Sequence, residues 1–235
     1  MKKIILAATA FVLAFSFNSN AQTSALKKAT SIKTSWYESP WTVEGNIGTR
    51  ALGVVSDGVE NGLGLALNGG FGYSFNSVFG VKGRMDYYNH TLTPGYLGAE
   101  ESRANSVALS LLLTMDLVPL IKSGRKSSWN FNIYAGSGLT TSWSPELKDF
   151  VSSIGGEFND PFIKGNDDMG HIVVGVNPRY FVTSRFALSL DVSYFTLLNQ
   201  DFTYDYQTRL TDGETGNALT IGLGFVWRPY GSSRR

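Results

Sequence analysis

In the stretch FGVKGRMDYYN, residues 79–89, Lys82, Arg84 and Asp86 occupy one parity while Phe79, Val81, Met85 and Tyr87 occupy the other. Successive side chains of a strand point to opposite faces, so this alternation predicts a strand with one greasy and one ionic face. The same period of two recurs along most of the chain, and helical stripes at i, i+3 and i+4 do not. Seven more strands follow from it, at 41–51, 63–75, 104–117, 129–139, 171–181, 186–197 and 217–227. In the first, Trp41, Val43 and Ile47 oppose Thr42, Glu44, Asn46 and Arg50; in the last, Leu219, Ile221, Leu223, Phe225 and Trp227 oppose Ala218, Thr220, Gly222 and Gly224. Most reach 11 residues or more, longer than the usual soluble strand and sufficient to cross a bilayer at a tilt.

The connections alternate in length. Asn76-Ser77 and Thr183-Ser184 read as tight turns and 118–128 as a moderate one; 88–103, 140–170 and 198–216 read as long loops and 52–62 as intermediate. Short turns at one end and longer loops at the other predict an all-β fold, an eight-stranded antiparallel up-and-down transmembrane barrel. Pro119, Pro145 and Pro161 fall in connections, but Pro178 falls inside the sixth strand, where its missing donor argues against regular pairing.

Periodicity does not say which face looks inward, but volume does. An eight-stranded barrel has room inside only for its own side chains or one small ligand. Bulky apolar residues crowd one face of every strand, whereas glycine, alanine and serine dominate the other and fit the narrow interior. Charge agrees: a lysine or arginine facing lipid at mid-membrane costs about 2 to 4 kcal/mol, so Lys82 and Arg84 belong in the lumen. That register places Arg50, Lys82, Arg84 and Arg179 inside with Glu44, Asp86, Asp116 and Asp191, four of each sign, and leaves the outward faces without charge. A balanced interior predicts a structural network of ion pairs filling the lumen. Trp41, Phe75, Phe79, Trp129, Phe131, Tyr180, Phe186, Phe225 and Trp227 then lie outward near the short turns, with Tyr87 and Tyr194 near the long loops, the arrangement of interfacial girdles.

Composition narrows the chemistry. The chain of 235 residues has a net charge of +1, no nucleic-acid-reading motif and no cysteine, so disulfides, thiolate metal sites and cysteine nucleophiles are excluded. Residues 1–21 read as a cleaved signal peptide: Lys2 and Lys3, an apolar run from Ile4 to Phe17, then Ser19-Asn20-Ala21. The expected division is signal peptide 1–21, an N-terminal periplasmic segment 22–40, the barrel 41–230 and a tail 231–235. The predicted long-loop side holds 14 acidic and 4 basic residues; the short-turn side, with both mature termini, holds 10 basic residues against Glu38.

On these residues the chain resembles the small outer-membrane β-barrel family that includes the OmpA membrane domain and OmpX, over roughly residues 41 to 230. The signal ending Asn20-Ala21-Gln22 is similar to those of Bacteroidetes exported proteins. The resemblance implies residence in the outer membrane, contact with its lipid and lipopolysaccharide, and recognition of Phe225 and Trp227 in the last strand by the outer-membrane assembly machinery. The peptidoglycan-binding domain that follows many such barrels is not expected after residue 227, and cell-wall tethering is not implied.

Some relatives act on lipid A through His-x-Ser. His90 is followed by Thr91-Leu92 and His171 by Ile172-Val173, so that motif is absent, and both histidines are expected at the rim. Asn166-Asp167-Asp168, with Asp201 and Asp205, suggests calcium but lacks the spacing of an EF-hand loop. The glycines of GLGLALNGGFG lack the Lys-Ser/Thr of a phosphate loop and are expected to make room in the lumen. The expected protein is a monomer that is not an enzyme, has no cofactor and binds no nucleic acid. Its role is structural or surface-interacting, with the loops open to an extracellular ligand. A narrow small-solute channel is the alternative, and a lipid A-modifying enzyme the third reading.

Overall fold

The computed structural model describes residues 39–53, 63–92, 102–121, 127–143, 166–200 and 214–229. The proposed signal peptide and most of the segment before residue 41 lie outside them, as do Asp201 and Asp205. Eight strands, each antiparallel to its neighbours, close into a barrel in chain order: β1 (Trp41–Leu52), β2 (Leu63–Ser74), β3 (Phe79–Leu92), β4 (Ser102–Asp116), β5 (Trp129–Trp143), β6 (Asn166–Phe181), β7 (Phe186–Gln200) and β8 (Glu214–Trp227). The seam joins β1 to β8 from Val43 opposite Trp227 to Leu52 opposite Ala218. One turn of helix, α1 (Val118–Ile121), breaks the connection after β4.

The two tightest turns share one device. Asn76 Oδ1 accepts hydrogen bonds from the backbone of Val78 and Phe79, both at 2.8 Å, and Thr183 Oγ1 accepts from Arg185 and Phe186 at 3.2 and 3.0 Å. A short polar side chain mimics a backbone carbonyl in each case, which is why asparagine and threonine stand there.

Sidedness follows the ionic parity of β3. Lys82 and Arg84 are 2% and 3% exposed, whereas Leu113, Leu139 and Leu223 on the other parity are 71%, 73% and 68% exposed. Near the short turns the outward aromatics touch one another: Trp41 lies 4.9 Å from Phe71 and 4.6 Å from Tyr73, and Trp129 lies 5.1 Å from Tyr180. A coat of this kind suits an apolar medium with a polar boundary.

Several expectations change. The strands run further toward the long loops than hydrophobic alternation indicates, because β5 continues through Thr140, Thr141 and Ser142 and β6 begins at Asn166. The connection expected over 140–170 therefore shortens to 144–165. Asp167 and Asp168 sit within β6 on opposite faces, Asp167 buried and Asp168 exposed beside Thr141 Oγ1 at 2.7 Å. Adjacent strand residues diverge, so these two do not converge on one calcium ion. With Arg103 exposed on the outward face of β4, Asp168 also corrects the expectation of uncharged exteriors; both charges sit at the ends of strands, toward the long loops.

Pro178 does not break β6. The ladder to β5 runs on through Pro178 opposite Phe131, while the ladder to β7 skips Asn177 and Pro178 and resumes in the same register at Arg179 opposite Ser189. The missing donor thus falls on the β7 side alone. A second irregularity lies at the long-loop end of β7, a register shift between Leu197 and Gln200 with Asn199 at φ 59°. Asparagine tolerates that left-handed conformation better than most residues.

The lumen is bulkier than expected. Tyr88, Leu112, Val173 and Phe195 face inward and are fully buried. In the tandem aromatics Tyr87-Tyr88 and Tyr194-Phe195, hydrophobicity alone does not choose the inward ring; parity counted from Lys82 and Asp191 does.

Candidate functional site

Arg84 in β3 is the hub of the buried charges. Its Nε donates to Asp86 Oδ1 at 2.7 Å, its Nη1 to Tyr134 OH at 2.8 Å and to Asp191 Oδ1 at 3.0 Å, and its Nη2 to Ser193 Oγ at 3.2 Å. Tyr134 OH in turn donates to Asp191 Oδ2 at 2.9 Å. The planar fork of arginine fits this task, since its fixed donors address two carboxylates and two hydroxyls at once. Close packing makes it possible: a Cβ at Gly175 would collide with the Tyr134 ring.

A second group forms nearer the short turns. Glu44 on β1 accepts from Lys82 through Oε1 and from Arg179 Nη2 through Oε2 at 3.3 Å. Arg179 donates through Nε to Asn177 Oδ1 at 2.6 Å, and its Nη1 lies 4.0 Å from Asp116 Oδ1. Asn132 also donates to Asp116, at 2.8 Å. Asn177 Nδ2 reaches Asp191 Oδ2 at 3.4 Å and joins the two groups. Ser189 and Asn68 meet Asn46 at 3.0 and 2.7 Å, which ties β7, β1 and β2 together.

Of the eight charged residues read from the sequence, Glu44, Lys82, Arg84, Asp86, Asp116, Arg179 and Asp191 are thus connected. Among the described residues Arg50 makes no ion pair with them. Its guanidinium stacks 3.8 Å above the Tyr88 ring and 4.8 Å from the Phe195 ring, making cation–π contacts. Asp167 and Arg228, expected in a loop and at the short-turn end, are further buried charges. Tyr134, Asn177 and Ser193 join the network by parity, although nothing in their local sequence marks them as partners.

His171 is not a rim residue. It is buried in the lumen, with Nε2 2.8 Å from Ser110 Oγ and Nδ1 2.8 Å from Thr140 Oγ1. A Cβ at Gly138 would press on its ring, and Phe195 lies 5.4 Å away. His90 pairs through its backbone with Gly64 and Ala104, three strands from His171. Among the described residues no group of three or more His, Cys, Asp or Glu side chains is placed to hold a metal ion. A polar cavity of about 20 Å³, room for about one water, opens between Lys82, Asp116, Asn132, Arg179 and Arg228.

Most of the buried charges described thus have a neighbour of opposite sign within the lumen.

The chain is similar to Neisserial surface protein A, with 12% identity, a TM-score of 0.53, and 81% of this chain and 98% of that one covered. OprG of Pseudomonas aeruginosa shares 13% identity at a TM-score of 0.46, covering 80% of this chain and 96% of that one. Ail of Yersinia pestis, solved with the heparin analogue sucrose octasulfate, shares 14% identity at 0.42, covering 80% and 97%. At 12% identity the likeness to Neisserial surface protein A is one of fold. No curated protein matches the sequence. The family model described as outer membrane protein beta-barrel domain matches residues 7–228, nearly the whole chain. With its closed barrel, apolar coat and aromatic girdle, the protein belongs to the outer-membrane β-barrel family.

Proposed function

We propose that this protein is a structural, surface-interacting barrel of the outer membrane whose lumen is sealed by its own paired charges. The observation that carries the reading is Arg84 bridging Asp86 and Asp191 across the barrel, with both carboxylates and the guanidinium withdrawn from solvent. Moving a solute through this level requires breaking buried ion pairs, which is strongly unfavourable when one partner is left behind. The strands then act as a scaffold, and the loops carry contact with an extracellular ligand.

Export through a cleaved signal peptide ending at Ala21, passage through the outer-membrane assembly machinery, residence as a monomer among lipid and lipopolysaccharide, and action without a cofactor or nucleic acid complete this reading. The enzyme reading has one observation in its favour, the hydrogen bond between Ser110 and His171. Both ring nitrogens of that histidine lie within hydrogen-bonding distance of hydroxyls, and the Phe195 ring packs 5.4 Å from it. A nucleophile needs an open approach as well as an oriented base, and Ser110 and His171 are both buried.

The test is conductance. The refolded protein in a planar bilayer should leave the membrane at its baseline current, while Arg84→Ala combined with Asp191→Ala should raise it. Stable, ohmic wild-type channels would replace this reading with that of the narrow channel.

A further inference from the structure

On the outer wall, where β3 to β6 reach toward the long loops, the apolar coat gives way to a polar cluster. Asn105 on β4 anchors it: its Oδ1 accepts from Tyr87 OH at 2.8 Å and from Asn89 Nδ2 at 2.7 Å, both on β3. Two donors on one oxygen fix the orientation of the amide, so Nδ2 is turned away from β3 as a donor. Arg103 lies exposed on the same face of β4, two residues nearer the loop. Trp143 stands opposite Asn105 in the ladder to β5, and Thr141, the next outward residue of β5, donates to Asp168 Oδ1 on β6 at 2.7 Å. Immediately below on the same faces, Leu109 and Leu139 are exposed and begin the apolar coat.

We propose that Arg103, Asn105, Trp143 and Asp168 form a headgroup site for a phosphorylated glycolipid of the outer leaflet, of the lipid A class, whose acyl chains lie on the leucines below. It rests on the reading of this chain as an outer-membrane barrel with its long loops outside. The Arg103 guanidinium and the Asn105 amide supply N–H donors for a phosphate, which a guanidinium fork can address with two bonds. The flat face of the Trp143 indole suits the C–H side of a sugar ring. Asp168 stands two strands from Arg103, about 10 Å across the sheet at the usual strand spacing. There it repels a phosphate and accepts from a hydroxyl or amide N–H, which sets the direction in which the headgroup lies along the wall. An interfacial girdle needs only amphipathic rings and does not call for a guanidinium, a clamped amide and a carboxylate around one of them. A protein partner would have to enter the bilayer to cover a cluster continuous with lipid-facing leucines, whereas a lipid already lies there.

Native mass spectrometry of the mature chain refolded in detergent tests the site, with diphosphorylated lipid A and phosphatidylglycerol as probes. Lipid A should be retained in preference to phosphatidylglycerol. Arg103→Gln and Trp143→Leu should each weaken lipid A by about tenfold, the loss expected of one hydrogen bond to a charged group. A mere girdle role for Trp143 would instead weaken both lipids alike. Arg185→Gln, at the short-turn end, should change neither. Heat-modifiable gel mobility shows that each variant has folded, and Asn105→Ala takes the place of any that does not. Three results would overturn the inference: equal retention of the two lipids, lipid A binding unchanged in the folded variants, or competition by the deacylated sugar phosphate as strong as by the intact lipid. Conductance is read separately. A folded barrel that does not conduct and shows no lipid A preference defeats this inference alone, whereas ohmic channels in a barrel that keeps the preference defeat the sealed-lumen reading alone.

Discussion

Arg84 Nη1 lies 3.0 Å from Asp191 Oδ1, joining β3 to β7 across the lumen between residues 107 positions apart in the chain. Both side chains are withdrawn from solvent, so each depends on the other for its charge to be tolerated. A contact of this kind does little for net stability compared with a well-packed apolar substitute, but it is sensitive to the loss of one partner.

Replacing Arg84 by methionine should therefore destabilise the barrel by about 3 to 5 kcal/mol, since Asp86 and Asp191 are left buried without their cation. Urea unfolding in lipid vesicles measures this. Adding Asp191→Asn to the same chain should recover part of the loss, and a double-mutant cycle that showed strict additivity would contradict the coupling.

Leu111 faces outward and is 66% exposed on β4. Leu111→Arg should cost about 2 to 4 kcal/mol if that face meets the bilayer interior. The same substitution should be nearly silent in folding if the face met water instead. Folding equilibria in bilayers separate the two outcomes.

Gly175 makes room for the Tyr134 ring. Gly175→Val should push the phenol away from Asp191 and Arg84 and destabilise the protein by about 1 to 3 kcal/mol, as overpacking of a filled core does. Tyr134→Phe in that background should then add little, because the hydroxyl bonds are already lost; a full additional penalty would place the strain elsewhere.

The turn side chains should matter less. Asn76→Ala and Thr183→Ala each remove an oxygen that accepts from two backbone donors, and each should cost about 1 kcal/mol. Because the flanking strands hold the register, the heat-modifiable band should persist in both variants.

Much of this architecture is readable from parity. Once Lys82, Arg84 and Asp86 are placed inside, the side of nearly every strand residue follows by counting, including that of Tyr88 and Phe195. Strand ends read less well. Thr140 to Trp143 and Asn166 to Gly170 lack alternating hydrophobicity, because both their faces lie near polar surroundings, yet backbone pairing continues through them. Pro178 shows the converse: a residue that disfavours strands is tolerated because only one of its two neighbours needs the missing donor.

The linear order of residues decided the number of strands, their antiparallel path and the face each side chain presents, since a strand's face is set every two residues by local geometry. Partners across the lumen were decided elsewhere. Whether Arg84 meets Asp191, or Arg50 rests on Tyr88, depends on how far each strand is staggered when β8 closes onto β1. Closure is a property of all eight strands together, and a balanced tally of four cations and four anions carries no record of it. The position of His171 shows the same division: the sequence puts it at the rim, and only the packed barrel brings it into the lumen with Ser110 from β4 and Thr140 from β5 at its two nitrogens.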